Sequence, residues 1–492
     1  MRICLVRPPS FLNAEVFPQS LGTIAAVLEQ ASHDVILVDG EIIAQRIISE
    51  KNHISKIASL RNRFFPVLKV KSEEVIINKF FLNDETLWDE ISREIILSRP
   101  DIVGISCYSA SMSSVKEITY RLRNKYGLVT PVILGGIHPT STPFETMTEL
   151  PWIDYVVIGE GEETLLELIS AIKHSKHMEN VKGIGFRKNG DILITNPRPA
   201  INLDAMPLTK FDLGNFDYID YVLVTSRGCP FNCEFCASKV MWGKKVRFRP
   251  AASVVKEVMW LREERNVKTI RFGDDTFTLN FNHIKNISDL LKKESINDVI
   301  YSVGSRIDTI DDKKLAILKE MGVYHISFGI ESGSNRIINQ INKDIKLNDV
   351  VPIIRMVNDA GIYTSTFFII NHPAETKEDM ADTMKLIDQL HNNCTLNTTE
   401  LNTGFPYPGT NWWDYCREHG LLTNINIYNY SHKYNHQQAP QVNMSSEDID
   451  TLNSFRVKIY QKAFFYNFIR RLKKMLTFVT TDPKRLIRRI FF

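Results

Sequence analysis

Residues 227–238 read RGCPFNCEFCAS, and three cysteines in that stretch carry the most legible chemistry in the chain. Cys229, Cys233 and Cys236 stand in C-x3-C-x2-C spacing, with Phe235 directly before the third thiol. Cysteine thiolates are the usual ligands of iron–sulfur clusters. Three of them in one short loop hold three irons of a 4Fe–4S cube and leave the fourth open for a reacting molecule. The competing reading is a structural zinc site, which needs a fourth ligand. Cys394 and Cys416 lie far away in sequence, and zinc knuckles rarely use this spacing.

A loop of this kind needs a scaffold, and the residues after it supply one. From Tyr221 the chain alternates apolar strand-like runs with helical ones. The strand candidates are YVLVTS (221–226), KTIRFG (268–273), VIYSVG (299–304), YHISFGI (324–330), YTSTFFII (363–370) and a last one near Thr399–Asn402. Six such units predict a partial TIM barrel, a fold whose sites lie at the carboxyl ends of the strands. The cysteine loop follows the first strand. Asp274 and Asp275 follow the second, Ser305-Arg306 the third, and Glu331-Ser332-Gly333 the fourth. Singly, each is also a helix cap or a surface ion pair. A non-catalytic iron–sulfur or zinc scaffold has no use for Phe235 and a polar rim at four strand ends.

The first half predicts a second α/β layer. ICLVR (3–7), DVILVDG (34–40), IVGISCYS (102–109), VILGG (132–136) and YVVIG (155–159) read as strands. Strands alternating with helices indicate a parallel, doubly wound, Rossmann-like sheet. Residues 41–92 form a mixed insert whose end is helical, from Leu87, Ile91 and Ile95 at spacing four. Glycines mark strand ends at Gly135-Gly136 and in the GEGE turn, Gly159 and Gly161. Ligands of open α/β sheets bind there, where glycine lets backbone approach closely. The plain alternative is tight turns with no ligand.

The loop C-x3-C-x-aromatic-C resembles that of the radical S-adenosylmethionine (SAM) superfamily. RPPSF, DIVGISCYS, VILGGIHPT and VVIGEGEETLLEL, in this order before such a loop, resemble the cobalamin-binding domain of class B members. The resemblance implies a cluster on Cys229, Cys233 and Cys236. It implies SAM contacts from Phe235, Asp274, Asp275, Arg306, Glu331 and Ser332. Cobalamin contacts would come from Pro8, Ser106, Gly135, Gly136, Gly159, Glu160 and Gly161. No D-x-H-x-x-G sequence occurs, so the motif that supplies a cobalt-ligating histidine is absent. At strand five relatives commonly read F-I-I-G-x-P-G-E-T, whereas this chain has FIINHPAET, with Asn371 and Ala374 for two glycines. His372 in that turn packs or caps, or faces the pocket.

The implied layout is a cobalamin-binding unit at 1–175, a connector at 176–220 with a hairpin at Asn189-Gly190, a barrel at 221–410 and a C-terminal region at 411–492. The implied activity is C-methyl transfer to an unactivated carbon. One SAM methylates cobalt, and a second gives a 5′-deoxyadenosyl radical that takes the substrate hydrogen. The alternative is cyclisation, oxidation or rearrangement with the same cofactors. An electron donor such as flavodoxin or ferredoxin is implied. The substrate is a small or lipid-like molecule, and no catalytic residue is singled out. GFPYPGTNWWDYC (404–416) resembles the segment that closes such barrels. YNYSHKYNHQ (428–437) lines a substrate cavity or simply covers the barrel mouth.

The composition suits this reading. In 492 residues, 43% are hydrophobic and 24% charged, ordinary for a soluble protein. Seven cysteines clustered as here suit metal binding in a reducing compartment rather than a disulfide framework. No signal-peptide core and no apolar run of about 18 residues is present, so the expected place is the cytoplasm. The net charge of +3 conceals an asymmetry. From Arg456 onward eleven Lys/Arg face one acidic residue, Asp482, a surplus of ten that leaves the preceding 455 residues at −7. Phe464, Phe468, Leu472 and Leu476 mark one face of this tail, with Lys462, Arg470, Arg471, Lys473 and Lys474 around it. The pattern fits contact with an anionic membrane, contact with nucleic acid, or a helix docked on the barrel.

Overall fold

The apolar runs of the first half become strands because both faces of a parallel sheet are covered by helices. In the computed structural model, residues 1–10, 16–51, 85–214, 216–422, 442–459, 461, 462, 465 and 466 are described. The first sheet contains β1 (Arg2–Arg7), β2 (Asp34–Asp39), β3 (Ile102–Ser106), β4 (Val132–Gly135) and β5 (Tyr155–Val157), all parallel, in the order β2-β1-β3-β4-β5. The order reverses beside β1, as in a doubly wound fold. One face packs on a core that includes Val6, Val38, Trp88, Ile91, Ile95, Val115 and Leu134. The other face joins an apolar core continuous with that of the second half.

The hairpin expected in the connector belongs to this sheet. Strand β6 (Ile184–Lys188) pairs antiparallel with β5, and β7 (Asp191–Ile194) pairs with β6. Asn189 at φ 52° and Gly190 at φ 94° make the turn. The short β5 leaves hydrogen-bonding groups that only a neighbouring strand satisfies. Of the insert, the structure describes Gly40–Lys51 and Glu85–Leu97 as helix, and residues 52–84 lie outside the described residues.

The second sheet has six parallel strands: β8 (Tyr221–Leu223), β11 (Thr269–Phe272), β12 (Ile300–Ser305), β13 (Val323–Glu331), β14 (Tyr363–Ile370) and β15 (Leu396–Thr403). They follow one another in chain order, with β8 and β15 at opposite edges. This is the partial barrel. Two short strands, β9 (Ser226–Arg227) and β10 (Arg247–Phe248), pair antiparallel and flank the cysteine loop. Aromatic rings knit the two sheets together, with Phe17 between Phe211, Tyr218 and Tyr221 at 5.2–5.8 Å.

Among the described residues no helix is long and apolar enough to cross a membrane. The first turn of the basic tail docks on the barrel. Lys462 Nζ donates to Asp388 at 2.6 Å, and the Tyr466 ring stacks on His391 at 4.4 Å. The docked reading covers these residues. The rest of the apolar and basic stripe, and the segment 428–437, lie outside the described residues.

Candidate active site

The cysteine loop is pinned at both ends by the neighbouring carboxylates after β11. Asp274 is buried and accepts from the Thr225 and Ser226 amides and from both hydroxyls, the Thr225 amide at 3.0 Å and the Ser226 Oγ at 2.6 Å. Asp275 accepts from Ser238 Oγ at 2.5 Å on the far side of the loop. Burial pushes the Asp274 carboxyl up to about 6, against the pull of its four donors. These bonds give both residues a bracing task that the family resemblance does not name. Just before the first cysteine, Gly228 has φ 99°, and a side chain there meets the Lys245 carbonyl oxygen at 2.5 Å. Only glycine serves at that crossing.

Inside the loop the Cys236 amide closes a turn on the Cys233 carbonyl, and the Ser238 amide donates to Cys236 Sγ at 3.5 Å. Burial raises the Cys236 thiol to about 11 and raises Cys233, which Lys343 and Arg306 partly offset. Cys229 adds to the rise at both by charge repulsion, and Cys233 adds to that of Cys236. Yet among the described residues no three His, Cys, Asp or Glu converge tightly enough to share one metal ion. A cube gives each thiolate its own iron, so its sulfurs stand wider apart than the ligands of a single tetrahedral zinc. The donor set, three thiols in one short loop, fits a cluster.

The rest of the rim gathers around Cys233. Arg306 is 5% exposed and donates Nη1 to Cys233 Sγ at 3.7 Å. Glu331 has φ 72°, at a register shift between β13 and β14. Such a bulge re-aims one side chain. Here it meets Lys343, whose Nζ lies 2.9 Å from Glu331 Oε1 and 5.9 Å from the Phe235 ring centre. Ser332 points inward instead, with its hydroxyl shared between Thr383 and the Ser334 amide. Lys343 was invisible to the strand-end rule because it lies beyond the helix Asn335–Gln340, and Asp308, which clamps Arg306, because it sits inside the helical turn Ile307–Thr309 after β12.

The turn after β14 keeps the backbone shape that the missing glycines would give. Asn371 has φ 72° and Ala374 φ 54°. Asn371 is fully buried and holds the Gly404 and Val442 carbonyls and the Met444 amide at 2.8–2.9 Å. His372 is buried, donates Nε2 to the Ile369 carbonyl, and meets Trp412 edge-on at 5.3 Å. Trp412 in turn lies 5.6 Å from Phe235. The packing reading of His372 is the one the structure supports.

A cleft opens at the carboxyl ends of the first sheet. Ser106, Gly135, Gly136, Gly159, Glu160 and Gly161 line it, six of the seven residues expected at a cobalamin site. Pro8 does not line it: it is buried beyond the end of β1, just after Arg7, whose side chain pairs with Asp39. Gly159 has φ 79° and a side chain there meets nothing within 4 Å, so the glycine keeps space open. The walls are mostly apolar, with Leu21, Ile24 and Leu165 on one side. Among the described residues no histidine lines it; His138 is buried, 2.9 Å from Ser109. A mostly apolar ligand that approaches backbone closely fits this cleft.

The opposite wall flanks the cysteine loop: Arg227 at its start, and Met241 and Trp242 on the short helix Ser238–Trp242 that follows it. Local spacing carries no hint of this beyond the adjacency of Arg227 to Gly228-Cys229. Arg227 reaches across to Glu160 at 2.7 Å and Glu162 at 2.6 Å, and its guanidinium lies 4.9 Å from the Trp242 ring centre. Arg247 adds a second bond to Glu160 at 2.9 Å. The four charged side chains are 6–14% exposed. One buried network thus ties the cleft wall to the cluster loop.

Residues 223–387 match the family model of the radical SAM superfamily, and residues 57–169 match the B12 binding domain. An uncharacterised methyltransferase from Pyrococcus horikoshii is 34% identical over 71% of this chain and 76% of its own length. The anaerobic magnesium-protoporphyrin IX monomethyl ester cyclase of Rubrivivax gelatinosus is 27% identical, over 61% of this chain and 56% of its own. Among solved structures, the radical SAM methyltransferase TsrM of Kitasatospora setae, with cobalamin and a [4Fe-4S] cluster bound, superposes with a TM-score of 0.65. It shares 18% identity over 85% of this chain and 75% of its own, a likeness of fold.

Proposed function

We propose, on the premise that this chain belongs to the radical SAM superfamily and carries a B12 binding domain, that it transfers a methyl group to carbon. The observation that carries this reading is the shared wall. Arg227 at the start of the cysteine loop, with Met241 and Trp242 on the helix directly after it, closes a cleft whose other side is the glycine-lined end of the first sheet. A ligand in that cleft lies directly against the segment that holds the cluster. In our reading Cys229, Cys233 and Cys236 hold the cluster, and Ser106, Gly135, Gly136, Gly159, Glu160 and Gly161 line the cobalamin site. Phe235, Lys343 and Glu331 face the SAM side, while Asp274 and Asp275 hold the loop in shape. When bound, the cluster supplies the electron that splits SAM, and cobalamin carries the methyl group. The protein's own tasks are to hold the two sites in register and to keep water away from a reactive carbon. The implied partners are a small-molecule substrate and an electron donor such as flavodoxin or ferredoxin, in the cytoplasm.

The similarity to a ring-forming cyclase favours a second reading, the same cofactors without methyl transfer. Product analysis separates the two. Full-length protein, reconstituted anaerobically with iron, sulfide and hydroxocobalamin, is incubated with SAM and reductant. Methyl transfer leaves both 5′-deoxyadenosine and S-adenosylhomocysteine. The second reading leaves 5′-deoxyadenosine alone, and neither product overturns both.

A further inference from the structure

We propose that Arg306 is a redox-positioning residue: it aims one N–H at the Cys233 sulfur and raises the reduction potential of the bound cluster. The proposal rests on the reading of Cys229, Cys233 and Cys236 as cluster ligands.

The geometry leaves the guanidinium little freedom. Its Nε donates to Asp308 Oδ1 at 3.0 Å and its Nη2 to Asp308 Oδ2 at 2.8 Å, a bidentate clamp. Nη2 also donates to the Lys343 carbonyl. The plane lies on the Phe231 ring, with Cζ 3.5 Å from the ring centre. Clamped on one edge and stacked on one face, the group presents Nη1 to Cys233 at 3.7 Å and cannot swing away. Among the described residues, the other cluster sulfur with a donor is Cys236, which receives the neutral Ser238 amide. The Cys233 contact is the one made by a cation.

A cluster that accepts one electron gains one negative charge, part of it on the thiolate sulfurs. A donor fixed on such a sulfur stabilises the reduced form more than the oxidised form. Hydrogen bonds to sulfur, net charge and exposure are the protein's means of setting cluster potential. Burial strengthens the effect, because Arg306 is 5% and Cys233 8% exposed. Lys343 also lies near, but Glu331 matches its charge at 2.9 Å. Asp308 likewise faces Arg306, but on the Nε and Nη2 edge, away from the sulfur.

The test is a potentiometric titration with dithionite and mediator dyes, followed by electron paramagnetic resonance, on the full chain without SAM. Wild type, Arg306→Lys and Arg306→Met are compared at matched iron and sulfide content. The expected result is a midpoint displaced to more negative potential in Arg306→Met, with Arg306→Lys between it and wild type. Equal midpoints at full cluster content overturn the proposal. If Arg306→Met takes up no cluster, Arg306→Lys and Asp308→Asn decide. Asp308→Asn keeps the cation but loosens its aim, so a lowered midpoint supports the proposal and wild-type midpoints in both overturn it. A wild-type chain that binds no iron refutes the ligand reading and the proposal with it. A full cluster with an unmoved midpoint refutes the proposal alone.

Discussion

The carboxyl ends of the two sheets meet the same loop with opposite surfaces. The first sheet offers an apolar cleft in which Gly159 keeps space open. The barrel offers a charged rim whose groups already hold one another: Asp274 with Thr225 and Ser226, Arg306 with Asp308, Glu331 with Lys343. An open cleft is shaped for something that comes in. A self-paired rim is shaped first to hold a loop, and a ligand there competes with partners already in place. Asp274, with four donors, and Asp275, with one, both brace the cysteine loop, whatever else they contact.

The sharpest way to break this comparison is to remove the group both sides are arranged around. Cys233→Ala should abolish cluster uptake, since a cube with two thiolates loses an iron anchor. Cys416→Ala, at a buried thiol outside the loop, should leave iron, sulfide and the broad absorbance near 400 nm unchanged. Equal iron in the two variants would overturn the ligand assignment.

Next comes the bridge between the surfaces. Arg227→Met leaves Glu162 buried at 7% exposure with its partner gone. Breaking a buried pair from one side costs about 3–5 kcal/mol. The unfolding midpoint in urea should fall accordingly. Cobalamin affinity should weaken while the cluster is retained, because the variant alters a cleft wall and no sulfur ligand. Unchanged midpoint and unchanged hydroxocobalamin binding would mean the two halves are held in register by the apolar core alone.

Much of the fold was legible because parallel strands are apolar throughout and end at glycine or a polar residue. YTSTFFII was expected at 363–370 and is the strand found there. The hairpin after Val181 was read as connector, since nothing in an alternating strand tells which sheet it joins. At the site, strand-end positions were visible, but partners were not. Lys343 reaches Glu331 through the chain's return after a six-residue helix, and Arg227 reaches the first sheet from the second. Such contacts depend on tertiary closure, and local spacing carries no trace of them.

A third test concerns the turn after β14, where the rim keeps one unmatched oxygen. Glu375 is fully buried; Oε2 accepts from the Asn371 and His372 amides, and Oε1 has no partner among the described residues. Burial raises its carboxyl to about 8 from 4.5. A carboxyl raised in the folded state contributes stability that is full below 4.5 and is lost as pH rises through 8. Glu375→Gln mimics the protonated form. Its advantage over wild type should be small at pH ~5 and reach on the order of a few kcal/mol at pH ~8.5. Parallel stability curves for the two proteins across that window would show that the group is solvated in solution.

The smallest expected effect sets two positions of that same turn against each other. Asn371 and Ala374 both occupy left-handed backbone, at φ 72° and 54°. A residue with a side chain typically costs about 1 kcal/mol there, and glycine costs little. Ala374, half-buried, has only a methyl to set against that cost. Its amide donates to the Met444 carbonyl at 3.0 Å, and its carbonyl accepts from Arg336, both backbone bonds that glycine keeps. Ala374→Gly should therefore stabilise by up to ~1 kcal/mol, less the added freedom of glycine in the unfolded chain. Asn371 differs, because its amide joins Gly404, Val442 and Met444 into one buried junction. Asn371→Gly relieves the same strain but leaves two carbonyls and an amide without partners, so it should destabilise by about 1–3 kcal/mol. Denaturant midpoints of the two variants should move in opposite directions. Movement in the same direction would mean that backbone strain, and not the side-chain junction, governs this turn.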